Sequence, residues 1–152
     1  VHPVAIAHER DERIKRLAGK IDRVLVDAPC SGLGTLRRSP DLKWRQTPET
    51  VAAQAATQRA ILDSAARLLK PGGRLVYATC SLLRDENEAV AEAFSAAQPG
   101  FEVEPVAPLL DALRVPGAPS LCSLADEGRF LRLWPHRHGT DGFFAAVWRK
   151  KA

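Results

Sequence analysis

Methionine is absent from all 152 residues and the first residue is Val1, so the chain carries no initiator and is expected to be a piece of a longer protein. Long apolar runs are missing as well: nothing approaches the roughly 18 residues that span a bilayer, and residues 2–16 are too charged for a signal peptide. These absences make a soluble, cytoplasmic protein without a membrane partner the expectation. Cysteine is scarce, with thiols at positions 30, 80 and 122 and no CxxC spacing. An odd number so spaced argues against a disulfide framework and gives no zinc signal, so reduced thiols and no metal are expected. Neither sign of charge dominates. A net charge of +4 and a pI near 9.3 permit a polyanionic partner without demanding one.

What is present is 45% apolar content, enough for one ordinary core and too little chain for two domains. Residues 3–7 form a short apolar stretch read as a strand, and a charged segment leads to a second run at residues 21–26. That second run, Arg23-Val24-Leu25-Val26, does not alternate, as expected of a parallel strand covered on both faces. It ends at Asp27, before a loop rich in Gly, Pro and Arg.

Thr47-Pro48-Glu49 supplies an N-cap, a proline at the first helical position and an acid in the first turn, so a helix should start there. Ile61, Ala65, Leu68 and Leu69 recur at helical spacing, and Lys70-Pro71-Gly72-Gly73 reads as the stop. Residues 75–78 predict another buried strand running into Thr79-Cys80-Ser81. The acidic pair Asp85-Glu86 opens a helix with Val90 and Phe94 on its apolar side, closed by Pro99-Gly100. Further strands are expected at residues 101–106, 130–134 and 143–148, with residues 108–128 irregular and 135–142 a turn-rich hinge. Strands alternating with helices predict an α/β fold: a mostly parallel layered sheet ending in an antiparallel hairpin.

Ligands of open α/β sheets bind at the carboxyl ends of the strands. Two predicted strands end in Asp27-Ala28-Pro29-Cys30-Ser31 and Thr79-Cys80-Ser81, which would turn both thiols into one crevice. A lone thiol is by default an apolar filler, and Cys122 is read that way; two thiols placed alike at strand ends point to chemistry. Gly32 and Gly34 permit a sharp turn after Cys30. Arg37, Arg38, Lys43 and Arg45, beside Trp44, make a mixture suited to phosphate contact and base stacking, with a solvated basic face as the bland alternative. His136 and His138 are a poor metal pair and read as loop hydrogen-bonders; Phe143 and Phe144 read as strand core.

The string DAPCSGLGTLRRSPDLKWR at residues 27–45, YATCS at 77–81 and PHRHGTDGFFAAVWRK at 135–150 together resemble the NOL/NOP/Sun family, S-adenosylmethionine-dependent RNA cytosine carbon-5 methyltransferases, in its bacterial 16S rRNA (Sun/RsmB-like) branch. The resemblance implies a partial Rossmann-like class I methyltransferase fold with residues 1–152 as the C-terminal portion of its catalytic domain. It implies Cys80 as the covalent nucleophile, Cys30 as the thiol linked to product release, and Asp27 as the carboxylate that holds the ring's N3 and amino group. Because DNA cytosine methyltransferases attack with a Pro-Cys thiol, the reverse assignment of the two cysteines is a rival. The resemblance also implies RNA, specifically 16S rRNA, as partner; a non-catalytic RNA-binding fragment is the competing reading.

In one respect the sequence departs from the family. The glycine-rich donor loop after the first strand and the acid ending the second are not found, and Gly72-Gly73 follows a helix, the wrong order for that loop. The donor residues left by the resemblance are Asp27, Pro29 and Glu9, the last standing near where the family shows an aspartate. This chain alone is therefore expected to bind S-adenosylmethionine weakly or not at all and to be inactive. The strand ending at Asp27 would lack its neighbour, and its edge is expected to be covered by a second copy, a swapped segment or additional chain.

Overall fold

A computed structural model describes residues 2–123 and 127–152. Five strands, β1 (Ile21–Asp27), β2 (Leu69–Thr79), β3 (Phe101–Val103), β4 (Leu131–Leu133) and β5 (Phe143–Lys150), form one sheet in the order β1-β2-β5-β3, with β4 beside β3 on the far side of β5. Among the described residues six α-helices accompany them: α1 (Glu12–Lys15), α2 (Leu42–Arg45), α3 (Pro48–Ala66), α4 (Glu88–Ala97), α5 (Val106–Ala112) and α6 (Pro135–His138).

The long helix α3 starts where the sequence signals it. Thr47 accepts from the Thr50 amide while Thr50 returns the bond to the Thr47 amide, and Pro48 fills a position that needs no donor. Val51, Ala55, Gln58, Leu62 and Ala65 then recur at intervals of three and four and line its buried face. Across the sheet, alternation sorts the side chains. Leu75 and Tyr77 of β2 and Phe144, Ala146 and Trp148 of β5 point to the α3–α4 layer, where Phe94 meets Trp148 edge-on at 4.8 Å between ring centroids. On the other face Val147 packs with Val106, Cys122, Val76 and Leu131 under α5.

Several expectations are corrected. Residues 3–7 form no strand: they run exposed, and no described strand lends them hydrogen bonds. The sheet is mixed rather than mostly parallel; β1 and β2 pair in parallel, but β5 runs antiparallel to β2, β3 and β4. Apolar content reports that a strand is buried, not which way its neighbours run. The predicted helix stop at Lys70–Gly73 lies inside β2. Helix α3 ends four residues earlier, at Ala66, and Ile21 pairs with Leu69 while Arg23 pairs with Arg74, so residues 70–73 bulge out of the ladder. Pro71 has no donor to offer the ladder, and Gly72 takes a φ of +76° that other residues avoid.

The strand expected over 101–106 stops at Val103, and Val106 instead begins α5, which runs on into the segment read as irregular. The hinge at 135–142 contains α6, started by Pro135 and ended by Gly139 in the left-handed region. The β4–β5 hairpin forms as expected. Strand β1 lies at the sheet's edge with no neighbour on its outer side among the described residues, and Leu25 there is 67% exposed. No described helix is long and apolar enough to cross a membrane.

Candidate active site

The parallel pairing of β1 and β2 fixes where the two motifs meet. Asp27 is opposite Ala78, and the amide of Ala28 continues the ladder to the Ala78 carbonyl, so both strands release their chains at the same end of the sheet. The Sγ atoms of Cys30 and Cys80 lie 3.5 Å apart there, both half-buried. Asp27 and Pro29 stand exposed at the same end.

Close backbone packing holds the thiols. The Gly34 amide donates to the Cys80 carbonyl at 2.8 Å, and the Gly142 amide donates to the Gly34 carbonyl at 2.8 Å. A Cβ on Gly34 would come within 2.3 Å of the Gly142 carbonyl oxygen and 2.6 Å of that of Cys80, so this crossing of three segments requires glycine. Gly32 bends the chain into it with a φ of +72°.

Beneath the thiols is a buried polar cluster that the sequence reading missed. The Glu86 carboxylate, fully buried, accepts from the Ser31 amide at 2.7 Å, from the hydroxyls of Ser31 and Ser81, and from the Gln58 amide at 3.4 Å. Gln58 also donates to the Pro29 carbonyl, and the Tyr77 hydroxyl donates to Gln58 Oε1 and the Glu86 carbonyl. Burial above all, with the nearby Cys30 and Glu86 charges, drives the Tyr77 hydroxyl pKa upward, so it acts as a donor. Thr79 donates to Asn87 Oδ1, and Asn87 donates to the Ser81 carbonyl. In the sequence Glu86 reads as a helix-opening acid; instead residues Arg84–Glu86 form a 3₁₀ turn that carries it inward, and α4 begins at Glu88. Two signals were available: Cys-Ser occurs in both motifs, giving two hydroxyls that need an acceptor, and Gln58 interrupts the apolar stripe of α3.

Two thiols in contact share one easy ionisation. The hydrogen bond with Cys30 is the largest influence on Cys80 and lowers its pKa to about 7, against opposition from burial and from the charges of Asp27 and Glu86. Cys30 moves the opposite way, raised by its hydrogen bond to Cys80 and by burial. The stabilisation of the Cys80 thiolate thus comes chiefly from the partner thiol.

The basic residues prove to be unequally available. Arg38 is paired with Asp141 at 2.9 Å and Arg45 with Asp41 at 2.8 Å, while Arg37 donates to the Gly139 carbonyl at 3.2 Å. Lys43 lies 4.9 Å from the ring centre of Trp44, which is 81% exposed. Lys43 also borders a cleft of about 740 Å³ lined by Leu33, Leu36, Val51, Arg59 and Leu83, which opens beside the turn after Cys30. Glu9 is not brought to the site: it lies beside Ser64 and Leu68, near the start of β1, a full strand's length from Asp27. Asp27 and Pro29 thus stand exposed at the carboxyl end of β1 without Glu9 beside them.

The remaining motif residues are structural. His138 accepts from the Trp134 amide at Nδ1 and reaches the Ser120 carbonyl through Nε2, the loop role expected of it. Phe144 is fully buried, whereas Phe143, one residue out of phase, is 39% exposed. Cys122 packs in the core under α5, with its Sγ 3.4 Å from the Ala118 carbonyl.

Residues 3–149 match the family described as 16S rRNA methyltransferase RsmB/F. The probable ribosomal RNA small subunit methyltransferase B of Bacillus subtilis is 44% identical over 132 residues, which make up 87% of this chain and 28% of the relative. A putative methyltransferase of Mycobacterium tuberculosis is 45% identical over 140 residues, 92% of this chain and 29% of the relative. Among solved structures, NSun6 from Pyrococcus horikoshii, crystallised with SFG, has a TM-score of 0.69 at 31% identity and covers 92% of this chain and 33% of its own. The chain thus spans less than a third of the length of these two curated relatives. A match running from the exposed leading segment through the last strand, carrying both thiol motifs in order, means that this chain belongs to the 16S rRNA methyltransferase RsmB/F family.

Proposed function

We propose that the chain is the C-terminal portion of a catalytic domain that transfers a methyl group to carbon 5 of a cytosine in RNA, with small-subunit rRNA as substrate. The observation that carries this reading is the pair of thiols 3.5 Å apart at the shared carboxyl end of β1 and β2. Carbon 5 of cytosine is too weak a nucleophile to attack an electrophilic methyl group unaided. Addition of the Cys80 thiolate to carbon 6 forms an S–C bond, pushes the ring electrons to carbon 5 and places a proton on N3. The lowered pKa of Cys80, and the raised one of Cys30, favour Cys80 as the attacking group. Asp27, exposed beside the pair, holds N3 and the amino group of the adduct. S-Adenosylmethionine, when bound, supplies the electrophilic methyl group, with Asp27 and Pro29 forming one wall of its site.

After transfer the carbon-5 proton leaves to a base, the electrons return to the ring and the C6–S bond breaks. Cys30, still a thiol and in contact with the departing sulfur, eases that departure by hydrogen bonding. A paired base cannot reach the thiols, so the target is unpaired or flipped. Lys43, Trp44 and the adjoining cleft then take the neighbouring nucleotides, while Arg37, Arg38 and Arg45 reach phosphates on exchanging their protein partners. The test uses the complete enzyme with small-subunit rRNA. Cys80→Ser is expected to abolish methyl transfer, and Cys30→Ser to accumulate a denaturant-stable protein–RNA adduct. A fully active Cys80→Ser enzyme overturns the mechanism.

A further inference from the structure

Each thiol is followed by a serine, and both serines end on one acceptor. Glu86 takes the amide and hydroxyl of Ser31 and the hydroxyl of Ser81, and the two hydroxyls are themselves 3.2 Å apart. Gln58 extends the cluster from α3 to the Pro29 carbonyl, just before Cys30. No described cation pairs with the Glu86 carboxylate. An acid so placed is expensive, because its uncompensated charge lies near a sulfur that must itself become negative. A neutral side chain would spare that cost, but only a carboxylate offers enough lone pairs to take three donors from the two loops and a fourth from α3 at once.

We propose that Glu86 is a positioning residue that fixes the separation of the Cys30 and Cys80 sulfurs by gripping the residue after each of them. The inference rests on the proposed chemistry for its purpose, though not for its test. In the isosteric variant Glu86→Gln an NH2 group replaces one oxygen: at Oε1 it faces the Ser31 amide donor, and at Oε2 it faces the oxygen-seeking hydroxyls of both Ser31 and Ser81, so the full set of bonds cannot be kept and the two loops gain freedom relative to each other.

Phenylarsine oxide reads the separation directly, since it loses its oxygen as water and forms two As–S bonds only when two thiols can converge on one arsenic. The complete enzyme is titrated as wild type, Glu86→Gln and Cys30→Ser, with circular dichroism showing that each variant is folded. Wild type is expected to bind one arsenical per chain through the pair, Cys30→Ser to lose that binding, and Glu86→Gln to weaken it about tenfold, as loss of one buried acceptor implies. Methyl transfer by Glu86→Gln should fall by a similar factor in kcat, with KM for RNA changed less than twofold. Wild-type arsenical affinity in a folded Glu86→Gln overturns the proposal, as does a loss confined to KM. An enzyme whose wild type binds the arsenical but methylates no RNA defeats the proposed function alone; the arsenical comparison still judges Glu86.

Discussion

Two partly or wholly buried carboxylates stand at opposite ends of this sheet and are treated in opposite ways. Glu104, just after β3, is gripped by Arg74 and Arg149, with bonds of 2.6 Å and 2.8 Å from their Nε atoms. Burial pushes its pKa up, but the hydrogen bonds from Arg74 and Arg149 outweigh it and hold the carboxyl below the usual glutamate range. Glu86 is more deeply buried and is held by hydroxyls and amides alone. A neutralised acid fastens three chain segments and exerts little field beyond them. An acid held by neutral groups fastens two loops equally well but leaves its charge to be felt by whatever ionises nearby, here Cys80. The sheet therefore has one end whose acid is neutralised by arginines and one whose acid bears on a pair of thiols.

The contrast can be broken most sharply by truncation. Glu86→Ala orphans four buried donors and is expected to destabilise the protein by about 3 kcal/mol or more in denaturant melts. If it costs no more than Glu104→Ala, the two ends are equivalent and the distinction fails. A smaller effect tests the sulfur pair. Cys80 should be alkylated by iodoacetamide with a midpoint near pH 7, and Cys30→Ala, which removes the donor, should move that midpoint up toward the ordinary 9.0. An unmoved midpoint would mean that the neighbouring thiol is not what lowers it. The smallest effect belongs to Glu104→Ala, about 1 kcal/mol at neutral pH because its partners are partly exposed. The sign follows from the lowered folded-state pKa: the contribution is complete above the unfolded glutamate value of 4.5 and is lost as pH falls through the lower folded one. The penalty of Glu104→Ala should accordingly shrink in acid; a penalty independent of pH would show that packing, not charge, holds that end together.

Local chemistry made much of this legible in the sequence. The start of α3 was written in Thr47-Pro48-Glu49, and the positions of both cysteines at strand ends followed from apolar runs that stop at Asp27 and Thr79. The antiparallel hairpin of β4 and β5 was legible, but the antiparallel pairing of β5 with β2 was not, because an apolar run reports burial and not pairing. Nor was the bulge at residues 70–73, where proline and glycine mark a break in regular backbone without saying whether a helix or a ladder is being broken. In the candidate site the thiols could be found from the motifs alone. Glu86 could not be found from its immediate neighbours, since its partners lie 5, 28 and 55 positions away and only the folded chain brings them together. The pairing of Arg38 with Asp141 was hidden for the same reason, so the basic loop looked freer than it is.

The crossing of Gly34, Cys80 and Gly142 has a consequence for the order of assembly on the ribosome. Residue 142 emerges more than sixty residues after Cys80, and the turn that clamps the Cys30 loop cannot form before then. Until the closing hairpin has been synthesised the nascent chain carries the sulfurs of Cys30 and Cys80 without their final backbone brace, so this end of the sheet is completed only after the β4–β5 segment has emerged.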